Sequence, residues 1–467
     1  MSSPGEVTAP RSKIFGVDGR TWLWGSAAAL PLLFWWLGWY PGILSSDSVD
    51  QLGQAENFEF FNHHPAIHSL YLWLLRPAWS SPGTISLFQA LAMGGLLGLA
   101  AMRLAQLGVP AKVAIGTAWA ISLLPAIAPT TLTIWKDVPF TFALLWAFTE
   151  LLVMARDPGR FWARRWGPAR LGMALGLVWV TRHNGFITVV ILLVALGFGF
   201  RSQLKRVGVA AAIVVAIVVG VQVVLYRVLP VDRGAIEPSA TFISDVAASF
   251  HHEPSNFTQA DLRQLGTIAP LEVWDNQYSC TDSTALSFDP RFDSGQIDRE
   301  PGAFRSLVVR AILRDLDTVA GHRWCAANYL LIPGQPADAY FQRPPYSIPD
   351  NPYPRSPISD TAFEITDRIF RWAEGPLWLT WRPALAIWAA LATYAAIAYR
   401  RRLRVLLWPG GLILAHIINV AATTPAQEFR YAFGIYVMAL LSLPLLFLVA
   451  NPLEASLVPA VVDNGSD

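Results

Sequence analysis

Charge is scarce in this sequence. Only 15% of its 467 residues are Asp, Glu, Lys or Arg, while 54% are hydrophobic and the mean hydropathy is +0.39. Soluble domains carry about 25% charged residues, so a cytosolic globule is disfavoured. The formal net charge of +2 leaves no broad basic surface and excludes a nucleic-acid binder. So apolar a composition also excludes a disordered chain. Lysine is rarer still, with 4 Lys against 31 Arg, a bias that reads as genome composition. Cysteine occurs only at positions 280 and 325.

What the sequence has instead is long apolar runs. They fall near 22–40, 84–104, 112–130, 138–154, 170–181, 185–200, 207–228, 377–399, 405–421 and 431–450. Runs of about 20 apolar residues suit membrane spans, and 20 Trp suit a chain with many membrane–water boundaries. The first run is longer than a signal-peptide core and no small-residue cleavage site follows it, so it is expected to remain as a span. The expected fold is an all-α polytopic membrane protein of about ten transmembrane helices, with an extracytoplasmic domain of mixed structure.

Ten spans place both termini on one side. The segments assigned to that side hold seventeen basic residues, from Arg11 and Lys13 to Arg402 and Arg404, whereas the opposite short loops hold only Arg76, Lys136, Arg182 and Arg430. By the positive-inside rule the termini are cytoplasmic. The sequence therefore divides into a transmembrane module (1–228) with a first outer loop at 41–83, an extracytoplasmic domain (229–376), C-terminal transmembrane helices (377–450) and a cytoplasmic tail (451–467). In the outer loop, helices are expected near 48–60 and 65–79. In the domain, Phe304, Val308, Ile312, Leu316 and Val319 recur at helical spacing. The proline-rich stretch 343–357 reads as a loop. Both cysteines lie in this domain, where an oxidising compartment favours a Cys280–Cys325 disulfide.

The polar residues that interrupt the span ends on the outer side are the functional candidates. The first outer loop reads YPGILSSDSVDQ and then FNHHPAIHSL. On a helix begun near Ser46, Asp47 and Asp50 share a face, and a carboxylate above the membrane can take a proton from an attacking hydroxyl. The competing role is helix capping by Ser46 or Asp47. His63, His64 and His68 follow, read as hydrogen-bonding or substrate contacts more than metal ligands. TIWKDVPF places Lys136, the lone lysine of the outer segments, beside Asp137, as a phosphate ligand with an orienting neighbour or as a snorkelling anchor. VTRHNGF puts Arg182, His183 and Asn184 in a tight turn relieved by Gly185. TTPAQEFRYAFGIY sets Gln427, Glu428 and Arg430 before the last span; Arg430 can fork onto a phosphate, and Glu428 can neutralise it. Four loops on one membrane face thus carry carboxylates, a lysine and arginines, which suggests one site for an anionic, lipid-borne substrate.

At these motifs, in this order and on this shared side, the chain resembles the GT-C superfamily of integral-membrane glycosyltransferases, in a poorly characterised bacterial branch. The resemblance implies a plasma-membrane enzyme moving a hexosyl or pentosyl group, with inversion, from a polyprenyl phosphate or diphosphate to an acceptor hydroxyl at the extracytoplasmic face. It implies Asp47 as general base, with Asp50 supporting it or holding acceptor or metal. Lys136, Arg182 and Arg430 would stabilise the leaving phosphate, with His63, His64, Asp137, His183, Asn184 and Glu428 as substrate contacts. Members with an adjacent acidic pair differ from this chain, where Ser48 and Val49 separate the acids; no metal or other cofactor is expected. The acceptor is a glycan, a lipid or a protein. The competing functions are a transporter or flippase for a lipid-linked glycan, and a structural membrane protein. A transporter would more naturally keep ionisable groups at the bilayer midplane.

Overall fold

A computed structural model describes residues 13–14, 17–76, 81–229, 231–232, 238–334, 344–349 and 351–450. The expected tail at 451–467 and Arg11 lie outside them. The chain is helical, and the strands among the described residues are the two-residue partners Lys13–Ile14 and Val17–Asp18. Among the described residues, five helices are long and apolar enough to cross a membrane: Gly83–Gln106, Asp137–Arg156, Arg201–Val228, Arg402–Thr423 and Phe429–Ala450. Most of the remaining apolar runs form shorter helices, including Ala111–Leu123, Gly185–Gly199 and Ala384–Tyr399.

Several of the runs are broken at proline, among them the first, the third and, at Pro383, the run 377–399. The first becomes Gly19–Ser26 and Ala29–Gly38, because Pro31 has no N–H to return to Ala27. The third becomes Ala111–Leu123 and Ile127–Leu132 around Pro125. The first pair lies so close to Gly83–Gln106 that side chains are excluded. A Cβ at Gly94 would sit 2.3 Å from the Ala29 Cβ, and one at Gly98 would sit 2.3 Å from Ser26 Oγ. Small residues allow this approach where no hydrophobic drive separates helix from lipid. The most buried of the long helices are Asp137–Arg156 and Phe429–Ala450, and they contact each other in the middle of the main core.

The first loop forms Ser46–Asn57 and Ala66–Leu75. The expectation of mixed structure for the polar region is corrected: among its described residues it is a set of helices around a second core that includes Val246, Leu265, Trp274, Phe304 and Leu307. Its amphipathic stripes and local caps satisfy the backbone without a sheet, as where Thr258 and Asp261 form a capping box. The single helical stripe expected from Phe304 to Val319 is also corrected. Asp315 leaves the helical conformation (φ −140°, ψ 52°), so the chain forms Pro301–Arg314 and then Leu316–Ala327, which turns onto Leu407–Thr423 and leaves Leu316 exposed. Cys280 and Cys325 are disulfide-bonded, with Cα atoms 5.7 Å apart.

Candidate active site

Asp47 opens the site, and its local sequence frees it from a structural duty. The N-cap of Ser46–Asn57 is Ser45, whose hydroxyl accepts from Ser48 N while Ser48 Oγ accepts from Ser45 N. Trp135 fixes that cap by donating its indole N–H to Ser45 Oγ at 2.7 Å. Asp47 is therefore a first-turn residue near the positive end of the helix. Its side chain stays 32% exposed, facing a cavity.

Arg430, from the start of the last span, donates to Asp47 Oδ2 at 2.7 Å and also to Glu428. One guanidinium thus holds two carboxylates, and their environments drive them apart. Burial would raise the Asp47 carboxyl, but the charges of Arg430, His64 and Lys136 outweigh it and hold it at about 2. Burial raises Glu428, and the pull of Arg430 does not fully offset it. Asp47 is ionised at neutral pH.

Lys136 and Arg182 sit deeper, and their partners differ from the expected ones. Asp137 does not orient Lys136; it opens the Asp137–Arg156 helix, turned inward, and bonds Arg182 across 45 residues of chain. Lys136 Nζ instead donates to His64 Nδ1 at 2.5 Å, and His64 Nε2 lies 3.9 Å from Asp47 Oδ1. Tyr431 stands between the arginines: the Arg182 and Arg430 guanidinium carbons are each 5.0 Å from its ring centre. Such contacts keep cations in place without neutralising them. His183 Nε2 bonds the Asn62 carbonyl at 3.1 Å, and Asn184 donates to Thr423 Oγ1 at 2.6 Å. Gly185 has no left-handed backbone to relieve. It is required because a Cβ there would meet the Val178 carbonyl at 2.1 Å.

Two cavities meet at Tyr431. The narrower, about 290 Å³, is lined by Lys136, Arg182, His183 and Asn184 at polar positions and by Phe186, Ile187, Phe242 and Ala422 among the apolar ones. The wider, about 1000 Å³, holds Ser45, Ser46, Asp47, His63, His64, Glu428 and Arg430, and reaches a far wall at 282–294. Ala240, Pro425 and Tyr431 line both. Asp50 lines neither: it is exposed and accepts from Gln54 at 2.8 Å. His68, buried against Tyr71, lines neither as well.

Sequence reasoning missed Trp135, whose ring also lies 5.2 Å from the Arg430 guanidinium. It missed Arg382, fully buried, which donates to Gln427 Oε1 at 2.9 Å. Gln427 in turn donates to Cys325 O and Asn328 Oδ1, tying the Arg430 turn to the polar region. An arginine amid WLTWRPALAI was the available signal. Among the described residues no three His, Cys, Asp or Glu side chains are grouped to hold a metal ion. As placed, Asp47 and Asp50 do not make a metal cage, since Arg430 takes one and Gln54 the other.

No protein-family model and no curated protein matches the chain. Among solved structures it is similar to the Archaeoglobus fulgidus oligosaccharyltransferase in complex with Zn and sulfate, at 12% identity and a TM-score of 0.44, over 94% of this chain and 50% of that one. It is similar to ArnT from Cupriavidus metallidurans bound to undecaprenyl phosphate, at 13% identity and a TM-score of 0.35, over 92% of this chain and 78% of that one. It is also similar to the S. cerevisiae protein O-mannosyltransferase Pmt1-Pmt2 complex bound to the sugar donor, at 18% identity and a TM-score of 0.35, over 45% of this chain and 33% of that one. The chain thus spans half the length of the oligosaccharyltransferase and a third of that of the mannosyltransferase chain. All three are GT-C glycosyltransferases. With every TM-score below 0.5, the likeness carries no residue-level correspondence, and the side chains themselves bear the functional reading.

Proposed function

We propose that the chain is a membrane glycosyltransferase that moves a sugar from a polyprenyl phosphate or diphosphate to an acceptor hydroxyl at the extracytoplasmic face of a bacterial plasma membrane. The observation that carries this reading is the placement of Asp47, an ionised carboxylate facing the wide cavity close to where a cation-ended narrow cavity joins it. The donor's phosphate lies against Lys136 and Arg182, with its isoprenoid tail among Phe186, Ile187 and Phe242. The sugar passes Tyr431 into the wide cavity.

There the acceptor oxygen attacks the anomeric carbon while Asp47 takes its proton. The bond from that carbon to the phosphate oxygen breaks, and its electron pair leaves with the lipid phosphate. A single in-line displacement of this kind inverts the anomeric centre. Lys136, Arg182 and Arg430 stabilise the charge that grows on the leaving phosphate, the kind of preorganised electrostatic help that dominates such steps. A carboxyl held at about 2 is a weak base at neutral pH. Donor phosphate competes with Asp47 for Arg430, and each bond that it takes from the carboxylate raises the basicity of Asp47.

The test uses purified protein in detergent with radiolabelled polyprenyl-phosphate sugars and an envelope extract. Wild type should release label from the lipid. Asp47→Asn should cut release by about a thousandfold while leaving donor binding within a few fold. Donor binding with no release under any acceptor would move the function to a flippase or carrier.

A further inference from the structure

The transfer step uses one wall of the wide cavity and leaves the far one unexplained. That wall is the segment from Asp282 to Ser294, and it is fixed in place. Asp282 pairs with Ala426, Ser283 N donates to Pro425 O, Gln427 N donates to Thr281 O, and the neighbouring Cys280 is bonded to Cys325. Its chemistry is one-sided. Thr284 Oγ1 donates to Asp282 Oδ1, and Ser287 Oγ donates to Ser283 O at 2.7 Å. The hydroxyl protons of Thr284 and Ser287 are spent within the wall, so these two side chains and the Asp282 carboxylate offer a ligand lone pairs. The arginine and imidazole side chains of the cavity, Arg430, His63 and His64, all belong to the Asp47 side. Beside the lone pairs stands Phe288, 80% exposed on the cavity rim.

We propose that this wall binds the acceptor and that the acceptor is a neutral saccharide chain, stacked on Phe288 with its hydroxyls donating to the Asp282–Ser287 segment. The proposal rests on the transferase reading and names its second substrate. A saccharide is dense in O–H donors, which an acceptor-rich wall requires, and it has a flat C–H face that packs on an aromatic ring. An anionic acceptor would meet Asp282 with no cation beside it. A peptide added to this wall as a strand would need an open strand edge. The pairing there, between Asp282 and Ala426, is already made, and the chain beyond it forms the helix Thr284–Ser287.

The experiment measures binding of neutral mannan, glucan and arabinan oligosaccharides of several sugars to the full chain in detergent, with label transfer followed in the same samples. One of these series should bind. Phe288→Ala should weaken it by about tenfold, as expected for loss of an aromatic contact, Phe288→Trp should restore it, and Asp47→Asn should bind it without transferring label. Phe288 is exposed, so its loss should leave folding intact. Label moving to a Ser/Thr-containing peptide or an anionic glycan, or saccharide binding unchanged in Phe288→Ala, would overturn the inference and leave the transferase reading standing. Saccharide binding without any release of label from the lipid would refute the transferase reading, and the acceptor role with it.

Discussion

The two cavities share Ala240, Pro425 and Tyr431 and differ in the rest of their lining. The narrow one sets Lys136 and Arg182 at the boundary and apolar side chains over much of the remaining lining. The wide one is more than three times larger and sets carboxylates, hydroxyls and aromatic rings around an open space. Their cations are also held differently. Arg182 is buried on an equally buried carboxylate, Asp137, whereas Arg430 is shared between Asp47, which faces the cavity, and Glu428. A buried pair is a fixed charge that keeps its geometry, while a shared arginine can exchange partners. On the proposed reading, the narrow cavity is built to hold a phosphate and the wide one to release a base.

The comparison breaks first at its fixed side. Arg182→Ala strands the Asp137 carboxylate, which should cost about 3–5 kcal/mol of stability and abolish donor binding; thermal unfolding with and without polyprenyl phosphate measures both. Lys136→Ala should keep the fold and weaken donor binding alone. A donor affinity unchanged in Lys136→Ala would make the lysine an anchor. The exchangeable side is sharpened by Arg430→Ala. Burial raises the Asp47 carboxyl and Arg430 is the largest opposing charge, so its removal should move the group upward from about 2. The acid limb of kcat/KM should then shift to higher pH, because the base is competent only above its own pKa. A limb that stays in place would detach Asp47 from the rate. The smallest effect belongs to Asp50→Asn, expected within about twofold of wild type because the exposed side chain bonds only within its own helix. A large loss there would return Asp50 to the site.

The helical class was legible in the sequence because hydropathy reports it directly: five of the ten apolar runs lie in the long helices. Breaks inside runs, as at Pro31 and Pro125, were marked by proline but were read through. The side on which Asp47, Lys136, Arg182 and Arg430 fall was legible from span order, and the structure gathers those four within one pair of cavities. Their partners were not. Lys136 and Asp137 are adjacent in sequence, but consecutive residues at a helix start point in different directions, so packing gives one to His64 and the other to Arg182. Asp50, although three residues on from Asp47 on the same helix, lies outside the cavity and bonds Gln54 instead. Trp135 as the clamp on Ser45 and Arg382 beneath Gln427 are contacts across 90 and 45 residues of chain, which no local pattern encodes.

The turn 424–428 is stitched to the far wall by backbone bonds on Pro425, Ala426 and Gln427, and Arg430 follows two residues later. Wall and arginine are one mechanical piece. A ligand settling against Phe288 therefore acts on the same piece of backbone that presents a guanidinium to the donor. Linkage makes that traffic two-way: whatever factor an acceptor contributes to holding the lipid phosphate, the lipid phosphate returns to holding the acceptor.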